Sequence, residues 1–375
     1  MKETITLIIR FIKKETVLVI SIILALISML FVHPDKQYIS YIDWHTLLLL
    51  FCLMAVMAGY KQLGLFQNIG AALLSHAGNT RQLFFVLVFL PFFFSMLITN
   101  DVALITFVPF AIIVLQMANE TALLVPIVVM QTIAANLGSM LTPMGNPQNL
   151  YLYAQSGMSL SDFLLLTLPF TCIAFVCLSA YGFLFKKRSV CVLDLSDEKE
   201  LHAKPIILFS ALFLLCLLSV ADLLDVRIVS VIVLLVLLVY DRRLLSAIDY
   251  SLLGTFVGFF VFIGNMERLP DFQVFLSNIV SGREICVSVL SSQIISNVPT
   301  ALLLSGFSSN WNALVIGTNI GGLGTLIASM ASLISYKQIA REYPGERGRY
   351  LLTFTIANVV LLLLLLGICA AFFHF

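Results

Sequence analysis

Three consecutive polar residues, Thr99, Asn100 and Asp101, interrupt the apolar stretch "LITNDVALITFVP", and a second polar group, Ser296, Asn297 and Thr300, stands in "IISNVPTALLL". Amide oxygens, hydroxyls and a carboxylate are ligands for a small hard cation, while amide and hydroxyl donors can hold an oxygen of a small anion. Downstream of each group lies a segment rich in glycine, hydroxyls and amides. The first is "NLGSMLTPMGNPQN", with Ser139, Thr142, Gly145, Asn146 and Asn149; the second is "NIGGLGTLIAS", with Asn319, Gly322 and Thr325. Glycine and proline are poor choices for a helix interior, so a helix is predicted to break in each segment and to free backbone carbonyls and N–H groups. Freed carbonyls suit a cation, and freed N–H groups at a helix N-terminus suit an anion.

The elements that carry these residues must lie in a bilayer. The chain is 60% hydrophobic and only 11% charged, against about 25% charged residues in soluble domains. Stretches such as Val17 to Val32, Pro205 to Val220 and Leu351 to Phe373 have the composition of membrane-crossing helices, which need about 20 apolar residues. Roughly eight or nine spans are expected by that length criterion, giving an all-α polytopic membrane protein. Backbone that leaves helical form at membrane depth must be buried in protein or line a wet cavity. Asp101 either caps the helical arm that follows the polar group, or binds a proton, or supplies negative charge to a cation site.

An internal repeat organises the chain. "YIDWHTLLLL" recurs as "AIDYSLLGTF", matching Asp43 to Asp249 at an offset of 206; "LITNDVALI" recurs as "IISNVPTALLL", matching Asn100 to Asn297 at 197. "AANLGSMLTPMGNPQNLYLYAQ" recurs as "GTNIGGLGTLIASMASLISYKQ", matching Asn136 to Asn319 and Thr142 to Thr325 at 183. These asparagines and threonines either join a site or satisfy backbone groups around the breaks.

Basic residues concentrate before the first span, in the loop from Lys186 to Lys204, at Arg242 and Arg243, and from Lys337 to Arg349. The positive-inside rule then places the N-terminus inside and the C-terminus outside a cytoplasmic membrane, with Asp43 outside and Asp249 inside. The two halves are therefore expected to be inverted: residues 1–186 with a re-entrant hairpin at 82–116 and a broken helix at 122–156, a cytoplasmic loop at 187–204, and residues 205–375 with a hairpin at 285–306 and a broken helix at 311–337. Inverted repeats with discontinuous helices are a recurring design of secondary transporters.

Other chemistry is absent. No basic cluster resembles a nucleic-acid surface, and neither a P-loop nor H-E-x-x-H nor a Ser/His/Asp set occurs, so no enzyme and no cofactor is expected. The seven cysteines show no C-x-x-C spacing and read as small hydrophobic residues. The histidines at 33, 45, 76, 202 and 374 lie in loops or at span ends. No Lys or Arg falls inside a proposed span or at a tip, so an anion is expected to be held without a cationic side chain.

At these residues the chain resembles the ion transporter superfamily of divalent-anion/sodium symporters, citrate transporters and arsenite permeases, over nearly its whole length. In the symporters each hairpin tip carries a Ser-Asn-Thr signature; here the matching positions are Thr99-Asn100-Asp101 and Ser296-Asn297-Val298, so the asparagines match and the third positions do not. Asp101, the "NVPT" at Asn297 to Thr300 and "GTNIGGLGTLIASMASL" look more like the arsenite-permease branch. The resemblance implies cation-coupled transport of small anions by alternating access, with a sodium ion near Asn100 and Asn297 or a proton as coupling ion, and a homodimer in the lipid bilayer. Metalloid efflux of the arsenite or antimonite type and sodium/proton exchange are the alternatives.

Overall fold

The structure, a computed structural model, describes residues 15–75, 77–190 and 202–373. Lys2, Arg10, Lys13, Lys14, His76, Cys191, His374 and the 191–201 part of the expected cytoplasmic loop lie outside the described residues. The described residues form helices and loops, with no β-strand among them.

The first half runs α1 (Thr16–Ser28), α2 (Trp44–Leu63), α3 (Leu65–Leu74), α4 (Thr80–Phe94), α5 (Asn100–Met117), α6 (Leu124–Gly138), α7 (Pro147–Ser156) and α8 (Leu160–Phe183). The second runs α9 (Ala203–Val220), α10 (Val226–Tyr240), α11 (Tyr250–Glu267), α12 (Pro270–Val280), α13 (Glu284–Ile295), α14 (Asn297–Ser305), α15 (Trp311–Gly321), α16 (Met330–Glu342) and α17 (Arg347–Phe373). The matched aspartates start matched helices. Asp43 Oδ1 accepts the N–H of Thr46 at 3.1 Å, and Asp249 Oδ1 accepts that of Leu252 at 2.9 Å, each satisfying a donor that the first helical turn leaves free.

Among the described residues, seven helical segments are long and apolar enough to cross a membrane, or eight if α12 and α13, bent by 106° at their junction, count as one. The chain is thus a multi-pass membrane protein, and with the bent pair taken as one span the described residues reach the lower end of the eight or nine spans expected. The apolar helices α1, α3, α4 and α10 fall short individually, since 15 residues rise only about 22 Å against a hydrocarbon core of about 30 Å.

Packing crosses between the halves. α1 lies along α11 while α10 lies along α2, and α5 packs on α16 while α14 packs on α7. Two apolar cores result. One gathers α2, α9, α10 and α11 with α7 and α14; the other gathers α4, α5, α6, α8, α13, α15 and α17.

Candidate functional site at the helix breaks

The interval 82–116 is occupied by α4 and α5, joined through Ser95 to Thr99, and 285–306 by α13 and α14, joined at Ser296 alone. The two hairpins differ in reach. With 18 residues α5 rises about 27 Å, and with 9 residues α14 rises about 14 Å.

Each downstream helix does break. α6 ends at Gly138 and gives way to 3₁₀ turns at Ser139–Leu141 and Pro143–Gly145, separated by extended backbone at Thr142, before Asn146, also extended, leads into α7. α15 ends at Gly321, and α16 starts only at Met330. The first break is folded so tightly that a Cβ on Gly145 would lie 2.1 Å from the Ser139 carbonyl oxygen, and one on Gly138 would lie 2.1 Å from that of Phe92.

Both threonines fasten their break to the preceding hairpin. Thr142 Oγ1 donates to the carbonyl of Met96, and Thr325 Oγ1 donates to that of Gln293 at 3.2 Å. Met96 and Gln293 stand at the same 197-residue offset as the tip asparagines. Thr142 is half-buried and Thr325 exposed, so these hydroxyls hold backbone in place.

The asparagines make a crossed pair of networks. Asn319 Nδ2 donates to Asn149 Oδ1 at 2.6 Å, and Asn146 Nδ2 donates to Asn319 Oδ1 at 3.4 Å. In the other half Asn136 meets Ser329, whose Oγ donates to Asn136 Oδ1 at 3.0 Å, and Ser332, whose Oγ accepts from Asn136 Nδ2 at 3.4 Å. Asn146 and Ser329, like Asn149 and Ser332, are 183 residues apart, the offset that relates Asn136 to Asn319. Each asparagine at the end of one half's helix therefore binds the start of the other half's α7 or α16. Ser329, Ser332 and Asn136 were not among the residues that motif reading selected for the site. Applying the 183-residue offset to Asn146 and Asn149 finds both serines.

The tips join these networks differently. Asn100 Nδ2 donates to Asn136 Oδ1 at 3.0 Å, and the N–H of Asp101 donates to Asn100 Oδ1 at 2.9 Å. At the second tip the N–H of Asn297 donates to the Ala328 carbonyl at 3.0 Å, and its side-chain Nδ2 lies so close to Gly322 that a Cβ there would be 3.0 Å away. Ser296 adopts φ 74°, ψ 157°, a left-handed conformation that non-glycine residues rarely take.

Three buried polar atoms at the starts of α7 and α14 have no protein partner: Asn146 Oδ1, Gln148 Nε2 and Thr300 Oγ1. They belong to the first turns of α7 and α14, whose following turns are linked by a 2.9 Å hydrogen bond between Tyr151 OH and Ser305 Oγ. Buried polar groups normally find partners, so a ligand oxygen or water is the natural complement here.

Beside the first tip lies an open cavity of about 510 Å³. Thr99 and Asp101 line it together with Lys61 from α2 and with Asp241, Arg243 and Asp249 from the α10–α11 connection; Met54, Met57, Val102 and Leu252 form apolar wall. Gln62 Nε2 and the N–H of Arg243, both at 2.9 Å, hold the Asp241 carboxyl below its ordinary pKa. The cavity bears on the expectation that an anion is held without a cationic side chain. Lys61 and Arg243 sit at helix ends in sequence, yet folding brings them to the same cavity as Asp101.

A model of the citrate transporter family matches residues 5–310. An uncharacterized transporter of Methanocaldococcus jannaschii is 32% identical over 356 residues, covering 94% of this chain and 96% of that protein. The inner membrane protein YbiR of Escherichia coli is 29% identical over 319 residues, covering 80% and 82%. A silicon efflux transporter of Oryza sativa subsp. japonica is 35% identical over 139 residues, covering 37% of this chain and 28% of its own. With a family model spanning most of its length and a relative of similar size aligned almost end to end, this multi-pass chain of crossed, broken helices belongs to the citrate transporter family of membrane transporters.

Proposed function

We propose that the chain is a cation-coupled secondary transporter of small anions that works by alternating access in the cytoplasmic membrane. The observation that carries this reading is the crossed network at the breaks, in which Asn136 binds Ser329 and Ser332 while Asn319 binds Asn146 and Asn149. Two equivalent junctions built from opposite halves can exchange roles if the halves are inverted, which is the physical basis of alternating access. The cavity at Asp101 supplies the chemistry: Lys61 and Arg243 attract an anion, and Asp101 with Asp249 serves the coupling cation, a proton or sodium. Thr99, Asn100, Asn297, Thr300, Asn146 and Asn149 would then form the binding surface between the tips and the breaks.

The decisive assay is uptake of radiolabelled citrate into proteoliposomes under an imposed sodium or proton gradient, with Asp101→Asn alongside. Gradient-dependent accumulation that Asp101→Asn abolishes is the expected result, and uptake indifferent to both gradients would refute coupling. A second reading is favoured by the silicon efflux relative and by the three uncharged polar atoms left unpartnered at the starts of α7 and α14: export of a small neutral oxyacid of the arsenite type. Movement of arsenite or germanic acid, with no citrate uptake, would select it.

A further inference from the structure

We propose that Asn136, Ser329 and Ser332 are positioning residues for Asp101, so that the break of the second half sets the place of the carboxylate at the first-half tip. The path is continuous and short. Ser329 Oγ donates to Asn136 Oδ1 at 3.0 Å, the same oxygen accepts Asn100 Nδ2 at 3.0 Å, and Asn100 Oδ1 accepts the N–H of Asp101 at 2.9 Å. Ser332 fixes the other end of the Asn136 amide at 3.4 Å. Asn100, Asn136, Ser329 and Ser332 are all buried, where a hydrogen bond lost is not replaced by water.

Among the described residues, no such line of side-chain hydrogen bonds joins the second tip to the opposite half. The N–H of Asn297 is held by Ala328, in its own half's break, and the Asn319 amide bonds Asn149, Asn146 and the Val315 carbonyl of its own helix. Two junctions related by the same sequence offset therefore act differently: movement of the α15–α16 break reaches Asp101 through side chains, while movement of the α6–α7 break reaches no charged group at the second tip. The asymmetry places the ionisable group of the tips under the control of the half that does not contain it. A transporter needs such coupling, because a carboxylate that took up its ion in every conformation would leak.

The inference rests on the reading that Asp101 serves a transported ion, but its test does not require transport. In a background with Cys172, Cys177, Cys191 and Cys286 replaced by serine, Thr99→Cys would report the tip's position by its labelling rate with a membrane-impermeant maleimide in everted vesicles. Asn136→Ala, and the pair Ser329→Ala with Ser332→Ala, are expected to change that rate by roughly fivefold, as loss of one net hydrogen bond would. Adding the serine changes to Asn136→Ala should do nothing more, and Ser329→Thr, which keeps the hydroxyl, should restore the parent rate. Asn149→Ala, which cuts the equivalent bond at the other junction, should leave the rate within about twofold. Rates unchanged in folded Asn136→Ala, or changed equally by Asn149→Ala, overturn the proposal. Failure of gradient-driven uptake with an intact labelling pattern would instead discard the transport reading and keep the linkage.

Discussion

The amide of Asn319, at the end of α15, donates to the side-chain oxygen of Asn149, in the first turn of α7, across 2.6 Å. The two residues are 170 positions apart in sequence and belong to opposite halves, and both are buried. Their bond joins a broken helix of one half to a broken helix of the other. A double-mutant cycle with Asn149→Ala and Asn319→Ala should show a coupling of about 1–2 kcal/mol in thermal or denaturant unfolding. Additive effects would mean that the two amides are neighbours without a shared interaction.

Thr142→Val and Thr325→Val test the hydroxyls that tie breaks to hairpins. Thr142→Val should destabilise by about 1 kcal/mol, the net value of a partly buried hydrogen bond. Thr325→Val should cost less, because Thr325 is exposed and water replaces the lost donor. Equal losses at the two sites, read from unfolding midpoints, would contradict this burial argument.

Gly145→Ala meets backbone, which cannot swing aside. The added Cβ would sit 2.1 Å from the Ser139 carbonyl oxygen, and the break must open to admit it. A loss of about 3 kcal/mol or more is expected, visible as a lowered melting temperature or failure to recover monodisperse protein. Gly345→Ala, whose Cβ meets nothing within 4 Å, should change stability by no more than about 0.5 kcal/mol.

Ser296→Gly should stabilise the fold while impairing the site. A non-glycine residue at φ 74°, ψ 157° costs of order 1–3 kcal/mol, and glycine removes that strain at an entropic cost of about 0.5–1 kcal/mol in the unfolded chain. A net gain near 1 kcal/mol is expected, measurable by thermal unfolding. A loss would show that the Ser296 hydroxyl, which faces Asn297 Oδ1 and the Ala328 carbonyl at 3.4 Å each, outweighs the backbone strain.

Lys61→Gln and Arg243→Gln address the charge of the cavity. If the cations collect an anionic substrate, each change should raise KM about tenfold, leave the maximal rate near that of the parent and weaken the dependence on ionic strength. For a neutral substrate neither KM nor the salt dependence should move, which separates the two readings of function.

Much of this architecture is readable from one dimension. Composition and span length identify a membrane protein, because the bilayer demands apolar helices of a certain length. The repeat matches Asn136 to Asn319 and Thr142 to Thr325, and the structure repeats their bonds with the same offsets, down to the carbonyl acceptors Met96 and Gln293. Glycine marks both breaks, joined by Pro143 and Pro147 in the first, because no helix interior accommodates these residues cheaply.

Tertiary structure decided the rest. Ser329 and Ser332 occupy the places of Asn146 and Asn149, but serine and asparagine look unrelated in a sequence motif. Only folding shows both pairs reaching the opposite half's asparagine. Lys61 and Arg243 stand at the ends of apolar runs, where long cationic chains commonly extend to the interface, and nothing in their neighbours distinguishes them from such residues. Their meeting with Asp101 around one cavity depends on α2 lying against the connection that follows α10. Sequence by itself determined that the chain is a polytopic helical membrane protein and where two of its helices break, because those follow from local propensity and hydropathy; which polar groups face one another was decided by the crossing of the two halves, which brings together residues far apart in the chain.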